Sequence, residues 1–469
     1  MNYKVEDKKL SELTDGTNIT YGVVKPGDNP ERGIRFIRGG DISERKINLS
    51  ELRNITKEVS EEYSRTLLKG GELIISLVGN PGEVAIVPKK LKGANIARQV
   101  GLIRSNEDVI DKYYLMYYLT SPLGKAKLKA NSRGSVQQVI NLRELKNIEI
   151  PVYNLEVQKE IANQLKTIDQ KIHLNRQTNE TLEAMAKAIF KSWFVDFDPV
   201  RAKMEAKSAG RDPNRAAMAV ITGISLDQGW DEVEFALDQK LSSMTEEQRQ
   251  QLIRTAQLFP DELVESEIGE VPKGWEVKQA QELVDIGIGK TPPRKEQHWF
   301  SEDYKDVKWI SIKDMGTYGI YALDTSEYLT REAIEEKNVR VVPDNTVILS
   351  FKMTVGRTAI TVGEMTTNEA IAHFKLNDNP ELTTKYIFLY LSQFDFDSLG
   401  STSSIAKAIN SKIIKKMPIL IPDKELVNSF TLQVNPIFGK IKSNSLEVRT
   451  LSKLRDTLLP KLISGEVGV

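Results

Sequence analysis

The chain has 469 residues and equal numbers of acidic and basic side chains, 65 of each, so its formal net charge is zero. Cysteine is absent, which excludes disulfides, thiolate nucleophiles and cysteine-ligated zinc, and three histidines leave little for other metal chemistry. The sequence has no run of eighteen apolar residues and no apolar stretch near its first residue, so we expect a soluble, cytoplasmic protein of several domains.

The charge is unevenly distributed along the chain. Residues 1–150 contain 25 Lys and Arg against 19 Asp and Glu, whereas residues 209–275 contain 6 against 13. The acidic segment therefore masks a basic first part of the chain. A basic domain is one sign of nucleic-acid binding.

Residues 1–151 predict a mixed α/β domain. Short β-branched runs at 73–78 and 84–87 indicate strands on either side of a Gly-Asn-Pro-Gly turn. The aromatic-rich segment 112–119 indicates a short helix.

A long helix follows. Across residues 156–194, apolar side chains recur in steps of three and four without a Pro or Gly. This pattern predicts one narrow apolar seam, which needs a partner helix to become buried. A second seam lies near the C-terminal end of the sequence, where Asn444 holds the place of Asn175 and Pro436 is expected to kink or delay the helix. The seam residues are Ile161, Leu165, Ile168, Ile172, Asn175, Leu182 and Ile189, and Val434, Ile437, Ile441, Asn444, Leu451 and Leu458.

Between the seams lie a linker and a second domain. Residues 209–274 predict an acidic linker with one short helix at 245–258, which Thr245 and Gln248 begin as a capping box. Residues 275–422 predict another mixed α/β domain, and residues 423–469 predict the second long helix.

The two α/β segments repeat one another. Ser76 aligns with Ser350 and Gly82 with Gly356, at an offset of 274. Five such blocks occur in the same order, which indicates duplication of a globular domain plus a long helix, with a period too long for a solenoid. We expect the two serines and the two glycines to be scaffold. Further predicted pairs are Asn95 with Asn368, Ala97 with Ala370, Tyr113 with Tyr386 and Tyr117 with Tyr390.

The residues do not support catalysis by this chain alone. Gly289-Lys290-Thr291 ends like a phosphate-binding loop, but that loop requires glycine where Val284 stands and a helix where two prolines follow. No acid–base pair stands out either.

Three stretches point to a family. LEAMAKAIFKSWFVDFDPV at 182–200 closes the central helix, IGEVPKGWEV at 268–277 leads to GKTP, and LRDTLLPKLISGEV at 454–467 forms the last helix. With these motifs the chain resembles, essentially end to end, the specificity subunit of Type I restriction-modification enzymes. The first domain departs from the pattern: Tyr3 stands where the second domain has Trp275, and it has no GKTP counterpart.

The resemblance implies an α+β fold. Two mixed α/β target-recognition domains are separated by two long antiparallel coiled-coil helices, with an internal pseudo-twofold repeat. The expected boundaries are 1–151 for the first recognition domain, 152–208 for the central spacer helix, 209–274 for the acidic linker, 275–422 for the second recognition domain and 423–469 for the C-terminal spacer helix.

The resemblance also implies a function. The subunit is expected to be non-catalytic and to bind no cofactor or metal, each recognition domain reading one half of a bipartite double-stranded DNA target while the helices act as a ruler. Two modification subunits, which bind S-adenosylmethionine, methylate adenine, and motor-nuclease subunits use ATP and Mg to cut unmethylated DNA. The alternative is a non-catalytic coiled-coil adaptor that links two protein-binding domains without DNA readout.

Side chains that contact DNA should be donors and acceptors for base edges, beside cations for phosphates. In the first copy, three lysines precede a Gly/Ser segment, and in the second copy a Ser/Thr segment precedes another lysine. The candidates in the first copy are Arg35, Arg38, Arg98, Gln99, Lys125, Lys127, Lys129, Ser132, Arg133, Gly134 and Ser135. Those in the second copy are Lys313, Lys352, Arg357, Ser401, Thr402, Ser403 and Lys407.

Overall fold

The computed structural model describes residues 5–130, 139–378, 380–399 and 409–466. The chain divides into two compact units, Met1–Asn175 with Glu447–Val469, and Arg176–Leu446. Each unit contains one copy of the repeat and part of both long helices. In the described ranges, no helix combines the length and the apolar composition needed to cross a bilayer.

The strands are β1 (Glu6–Lys9), β2 (Thr20–Tyr21), β3 (Ile34–Ile37), β4 (Ile42–Ser43), β5 (Lys46–Ile47), β6 (Arg53–Ile55), β7 (Leu73–Ser76), β8 (Val84–Ile86), β9 (Asn95–Ile96), β10 (Val100–Ile103), β11 (Glu149–Val152), β12 (Leu263–Ser266), β13 (Gly269–Pro272), β14 (Glu276–Gln279), β15 (Val284–Ile288), β16 (Phe300–Ser301), β17 (Val307–Ile310), β18 (Tyr321–Ala322), β19 (Glu327–Leu329), β20 (Val347–Ser350), β21 (Thr358–Thr361), β22 (Thr366–Thr367), β23 (Ile371–Leu376) and β24 (Pro418–Ile421). The α-helices are α1 (Lys57–Glu62), α2 (Lys112–Thr120), α3 (Pro122–Ala130), α4 (Leu142–Lys146), α5 (Leu155–Phe194), α6 (Asp198–Ser208), α7 (Pro213–Ile221), α8 (Trp230–Ser242), α9 (Glu246–Leu258), α10 (Ala280–Leu283), α11 (Ile312–Met315), α12 (Arg331–Glu336), α13 (Thr384–Gln393), α14 (Ser411–Lys416) and α15 (Lys424–Ser464).

The first copy is built on small sheets. Strands β2, β10, β7 and β8 form a four-stranded sheet, and β6, β3 and β9 form a three-stranded one. Every residue of β7 is buried, because this β-branched run lies between two neighbouring strands and faces the core. Strand β1 pairs antiparallel with β11, Glu6 opposite Val152, so the first strand of the copy lies beside its last strand, just before α5.

The second copy repeats this plan with one more strand in each of the two sheets. Strands β15, β23, β20, β21 and β18 form a five-stranded sheet, and β16, β19, β17 and β22 form a four-stranded one. Strand β14 pairs antiparallel with β24, Glu276 opposite Ile421, just before α15. Each copy is therefore closed by the strand pair from which its long helix starts.

The predicted serine and glycine pairs are confirmed by backbone geometry. The N–H of Gly82 donates to the carbonyl of Ser76 at 2.9 Å, and the N–H of Gly356 donates to the carbonyl of Ser350 at the same distance. Both glycines are left-handed, with φ of +93° and +91°. The same turn therefore occurs in both copies.

The predicted pairing of Asn95 with Asn368 is wrong by two residues. Asn95 lies opposite Phe36 in β3, and the residue that lies opposite the matching Trp309 in β17 is Thr366. Strand register, not a shared residue type, fixes the correspondence. By the same register Ala97 corresponds to Asn368 rather than to Ala370, since both donate a backbone N–H to the preceding sheet strand.

The predicted tyrosine pairs are wrong by one residue. In each copy, two tyrosines one helical turn apart donate their hydroxyls to carbonyls of the closing strand. This geometry pairs Tyr114 with Tyr386 and Tyr118 with Tyr390, in place of Tyr113 and Tyr117. The hydrogen bonds are Tyr114 to Pro151 (2.7 Å), Tyr118 to Glu149 (3.0 Å), Tyr386 to Leu420 (2.9 Å) and Tyr390 to Pro418 (2.9 Å).

The long helices pack antiparallel within each unit. In the first unit, Ile161 and Leu165 of α5 share a buried core with Leu459 and Leu462 of α15. The seam asparagine Asn175 donates to Glu447 at 2.9 Å.

In the second unit, Phe190 of α5 contacts Phe430 of α15, with ring centroids 5.8 Å apart. The side chain of Asn444 donates to Asn179 at 2.9 Å. The contacts pair rising residue numbers in α5 with falling numbers in α15, as antiparallel packing requires. The two predicted seam asparagines do not bond to each other: Asn175 bonds to Glu447, and Asn444 bonds to Asn179.

The ends of the long helices follow local backbone chemistry. Helix α5 ends at Phe194, and Phe197 takes a left-handed conformation (φ +57°) before Asp198 and Pro199 begin α6. The expectation that Pro436 would delay the second helix is wrong, because α15 begins well before it and continues past it. The Pro436 ring lies on an exposed position, where it displaces no core side chain.

The acidic linker contains more structure than predicted. The predicted helix is confirmed as α9, and its capping box is formed by reciprocal bonds between Thr245 and Gln248 of 3.3 and 3.0 Å. Helices α7 and α8 and the hairpin β12–β13 accompany it. A small core that includes Ala217, Val233 and Leu252 holds the three helices together, so this segment is a helical subdomain rather than a simple linker.

A half-buried carboxylate ties the first copy to both long helices. Asp169 of α5 accepts hydrogen bonds from Arg45 (3.0 and 3.2 Å), Arg455 of α15 (2.9 Å) and the hydroxyl of Tyr117 (2.9 Å). Burial opposes ionisation of Asp169, but the two guanidinium groups outweigh it and lower its pKa. In the second copy the corresponding positions are apolar: Phe438, Leu389 and Ala186 are all buried.

We predict that Asp169→Asn lowers the free energy of unfolding by about 3 kcal/mol at neutral pH, because two half-buried guanidinium groups lose their counter-charge. Urea denaturation of the chain measures the change. The lowered pKa means that the stabilisation is present above the ordinary carboxyl value of 3.8 and is lost as the pH falls below it, so the difference from wild type should shrink in acid.

Asp456→Asn is the matched control for this prediction. Asp456 also pairs with Arg455, at 2.8 Å, but its side chain is 62 % exposed. Its loss should cost less than about 1 kcal/mol. Equal effects of the two substitutions would contradict the assignment of the buried network.

Candidate nucleic-acid interface

Three segments meet at one place in the first copy: residues 38–41, the turn 76–82 and residues 98–99. Gly39 lies at their junction, where an added Cβ would lie 2.9 Å from the Ser76 hydroxyl and 3.7 Å from Gln99. The N–H of Leu77 donates to the carbonyl of Gln99 at 2.8 Å. We call this surface the first face.

The corresponding segments of the second copy, 311–316, 350–357 and 369–370, form the second face. The N–H of Phe351 donates to the carbonyl of Ala370 at 3.0 Å, which matches the bond between Leu77 and Gln99. The guanidinium of Arg357 donates to the carbonyl of Ile312 at 3.3 Å, so the turn is joined to α11.

Hydroxyl groups inside both turns serve the backbone. The buried Ser350 hydroxyl accepts from the N–H of Arg357 at 3.1 Å and donates to the Thr354 carbonyl. The Ser76 hydroxyl donates to the Val78 carbonyl at 3.3 Å. These bonds agree with the predicted role of both serines as scaffold, because each hydroxyl donates to a carbonyl of its own turn.

Of the basic candidates in the first copy, Arg98 and Gln99 lie exposed on the first face. Within the described ranges, the Arg98 side chain has no hydrogen bond or ion pair. Arg35 is exposed on β3 and donates to the Leu52 carbonyl at 3.4 Å. Arg38 borders the first face, but its guanidinium is bound to Asp41 at 2.8 and 3.2 Å, and this hydrogen bonding raises its pKa.

The three predicted lysines lie on α3, which borders the turn 76–82 of the first face: a Cβ added at Gly82 would lie 3.5 Å from the side chain of Leu128. Lys125 pairs with Glu83 at 2.9 Å, and Lys127 donates to the Glu149 carbonyl at 2.9 Å. Lys129 is exposed. Lys125 and Lys127 would have to share or release these contacts in order to bind phosphate. Eight candidates lie outside the described residues: Ser132, Arg133, Gly134, Ser135, Ser401, Thr402, Ser403 and Lys407.

The second face brings three predicted cations together. Arg357 and Lys352 are exposed on the turn, and Lys313 is exposed on α11, to which Arg357 is bonded. The α11 helix is held by Asp314, which bonds to Ser311 and Ser326; burial works against its ionisation, but these bonds lower its pKa. The second face thus carries three exposed cations that can bind phosphate groups.

Sequence comparison alone missed two features of the second face. Register places Glu369 at the position of Arg98, so the two faces carry opposite charges there. Met353 is 91 % exposed at the tip of the turn. The signal for Met353 was its alignment with Gly79, since methionine is a poor residue for a glycine position.

The first copy does have a structural counterpart of the GKTP glycine, contrary to the sequence expectation. Gly22 follows β2 as Gly289 follows β15, and the residue after each donates to the neighbouring strand. An added Cβ would lie 1.8 Å from the Ile96 carbonyl oxygen at Gly22 and 2.2 Å from the Asn368 carbonyl oxygen at Gly289. Glycine is required at both places because the backbones are too close for a side chain, and nucleotide binding is not the reason.

No group of three or more His, Asp or Glu side chains in the described part of the chain is arranged to hold a metal ion. Both faces offer exposed hydrogen-bond donors and acceptors, among them cations. This chemistry suits binding of a polyanion with readout of its polar edges.

Comparison with known proteins identifies the family. The model of the Type I restriction modification DNA specificity domain matches residues 5–184 and 272–427, which together are most of the chain. The chain belongs to this family. Each matched segment contains one face, and the resemblance seen in the three sequence stretches is confirmed.

Full-length relatives agree. The chain is 30 % identical over 450 residues to the Type I restriction enzyme HindI specificity subunit of Haemophilus influenzae, covering 94 % of this chain and 95 % of the relative. It is 25 % identical over 467 residues to the MjaIX specificity subunit of Methanocaldococcus jannaschii, covering 96 % and 92 %. The fold is similar to the crystal structure of a Type I restriction-modification S subunit from M. genitalium, with 15 % identity, a TM-score of 0.50 and coverage of 98 % and 96 %.

The chain is therefore a specificity subunit of a Type I restriction-modification enzyme. Subunits of this class recognise DNA without catalysing a reaction, and they assemble with the other subunits of the enzyme.

We predict that Lys313→Ala combined with Arg357→Ala reduces the salt dependence of DNA binding. Each phosphate contact contributes about 0.9 to the slope of log K against log salt, so losing two should reduce the slope by roughly 1.8. Fluorescence anisotropy of the assembled complex with duplex DNA, titrated across salt concentrations, measures it. Lys273→Ala is the control. Lys273 follows β13, outside the segments of both faces, and its side chain is 63 % exposed, so its removal should leave the slope unchanged.

Proposed function

We propose that the two faces read the two halves of a bipartite DNA target. The observation that supports this is a shared scaffold with different side chains: the turns and strand registers match, while Arg98 corresponds to Glu369 and Gly79 to Met353. A duplicated scaffold that bound one common ligand would not need opposite charges at the same place. Two faces that differ in this way are suited to two different half-sites.

The long helices are proposed to set the distance between the half-sites. The boundary between the two units falls inside both α5 and α15, at 175/176 and 446/447. The helical segments around these points therefore connect one copy to the other. Their length would determine how many base pairs remain unread between the half-sites.

The partner subunits are proposed to supply the chemistry. Because the two copies share one scaffold, two modification subunits would bind in equivalent ways, each with S-adenosylmethionine for adenine methylation. Motor-nuclease subunits would use ATP and Mg to cut unmethylated DNA. The complex would act on DNA in the cytoplasm.

Mapping methylated adenines in DNA exposed to the complex tests the function. We expect two short specific blocks separated by a constant number of unread base pairs. Inserting the same seven residues into α5 after Asn175 and into α15 before Glu447 should preserve the seam, since one heptad nearly restores its phase. At 1.5 Å per residue the insert adds about 10 Å, so the gap should lengthen by about three base pairs with both blocks unchanged.

A heptad inserted at Gly210, in the loop between α6 and α7, is the control and should leave the gap unchanged. An active helix variant with an unchanged gap would contradict the proposal that the long helices set the distance between the half-sites. A complex without salt-dependent DNA affinity or a sequence-specific methylation pattern would favour the adaptor alternative over DNA recognition.

The number of partners is a separate prediction. Native mass spectrometry of the methylating complex should give two modification subunits for each copy of this chain. A stable complex that methylates DNA with a single modification subunit would show that the repeat does not create two equivalent docking sites.

A further inference from the structure

Met353 is the most exposed large apolar side chain in the described part of the chain, at 91 %. It lies at the tip of the second-face turn, where the N–H of Thr354 donates to the Lys352 carbonyl at 2.7 Å. The turn is anchored on both sides by the buried Ser350. The Met353 side chain is thus exposed to water, and it does not stabilise this chain through burial.

The backbone at Met353 is unfavourable for methionine. Its φ is +61°, in the left-handed region that residues with a Cβ rarely adopt. The equivalent residue of the first copy is Gly79, with φ of +90°. The scaffold therefore works with glycine at this position, and the methionine of the second copy is not required for the fold.

The surroundings of Met353 favour DNA as the ligand. Lys352 and Arg357 lie on the same turn, and Arg357 is bonded to α11, which carries Lys313. These cations can bind phosphates and so place the turn on a duplex. Val355 on the same turn is also exposed, at 38 %, so the apolar tip consists of two side chains, of which Met353 extends further into water. Two side chains among cations are too small for a protein-docking patch, but Met353 matches the one apolar group in the major groove, the C5 methyl of thymine.

We propose that Met353 is a specificity-determining residue that contacts a thymine methyl group in the half-site read by the second face. The proposal rests on the proposed function of the two faces as DNA readers. It also explains why the two copies differ at this position: the turn with Gly79 would lack the contact and accept another base.

A double-mutant cycle tests the contact. Affinity of the assembled complex is measured on the mapped target and on targets in which each thymine of the second half-site is replaced in turn by uracil, which lacks the methyl. For the wild-type complex, one replacement should weaken binding about fourfold, the value of one buried methyl group. For Met353→Gly, the same replacement should have no effect.

Met353→Leu keeps an apolar side chain and should retain most of the penalty for uracil. Met353→Gly should melt at the wild-type temperature or above it, because glycine is unstrained in the left-handed region. A loss of selectivity without a loss of stability separates readout from folding.

Several outcomes would overturn the proposal. One is a uracil penalty of equal size in the wild type and in Met353→Gly. Another is a second half-site without any A·T pair, and a third is a glycine variant that loses affinity for the modification subunits instead of selectivity for DNA. In each of these cases, a wild-type complex that still selects its target leaves the proposed function intact. A wild-type complex without selectivity overturns both the proposed function and the Met353 contact.

Discussion

Burial of two narrow apolar seams is the constraint on which the structure depends. Neither α5 nor α15 has an apolar face wide enough to be buried by itself, and each copy of the repeat is too small to cover a 40-residue helix. In each unit the solution is antiparallel packing of one helix on the other. The seam then places the charged and polar residues of both helices toward solvent or toward the adjoining domain.

The two units solve the contact between domain and helices differently. In the first unit a half-buried carboxylate, Asp169, binds Arg45 of the domain and Arg455 of α15. In the second unit the position of Asp169 holds Phe438, whose ring centroid lies 6.0 Å from that of Phe388 in the domain. The first unit therefore has an ion pair where the second unit has aromatic packing, and loss of one member of the ion pair leaves a charge without its partner.

The long helices could be predicted from sequence because heptad spacing is a local property, and the capping box at Thr245 is local for the same reason. The repeat could be detected, but its register could not be fixed. Asn95 and Asn368 share a residue type and yet occupy different strand positions, because hydrogen bonding to β3 and β17 sets the register. An identical residue in the two copies is weak evidence of an equivalent position when the loop before it has changed length.

The two faces could not be predicted from sequence because each is assembled from three separated segments. Nothing near Gln99 in the sequence indicates that its carbonyl binds the N–H of Leu77, and that bond creates the first face. The candidate lysines of α3 looked like the natural basic patch, yet Lys125 is paired with Glu83. Local charge density does not report which cations already have partners within the protein.

Each recognition domain and its half of the helix pair form one packing unit. The tyrosines Tyr114 and Tyr118 join α2 to the closing strand of the first copy, and that strand leads directly into α5. The Arg45–Asp169 contact then fixes the domain to the helix a few turns further on. In the second unit the positions that correspond to Asp169, Arg455 and Tyr117 hold the apolar residues Phe438, Ala186 and Leu389. The first domain, placed in the second position without its helix segment, would therefore leave Arg45 without its carboxylate partner. Because removing one member of a largely desolvated ion pair is costly, the first domain is matched to its own helix segment and not to helices in general.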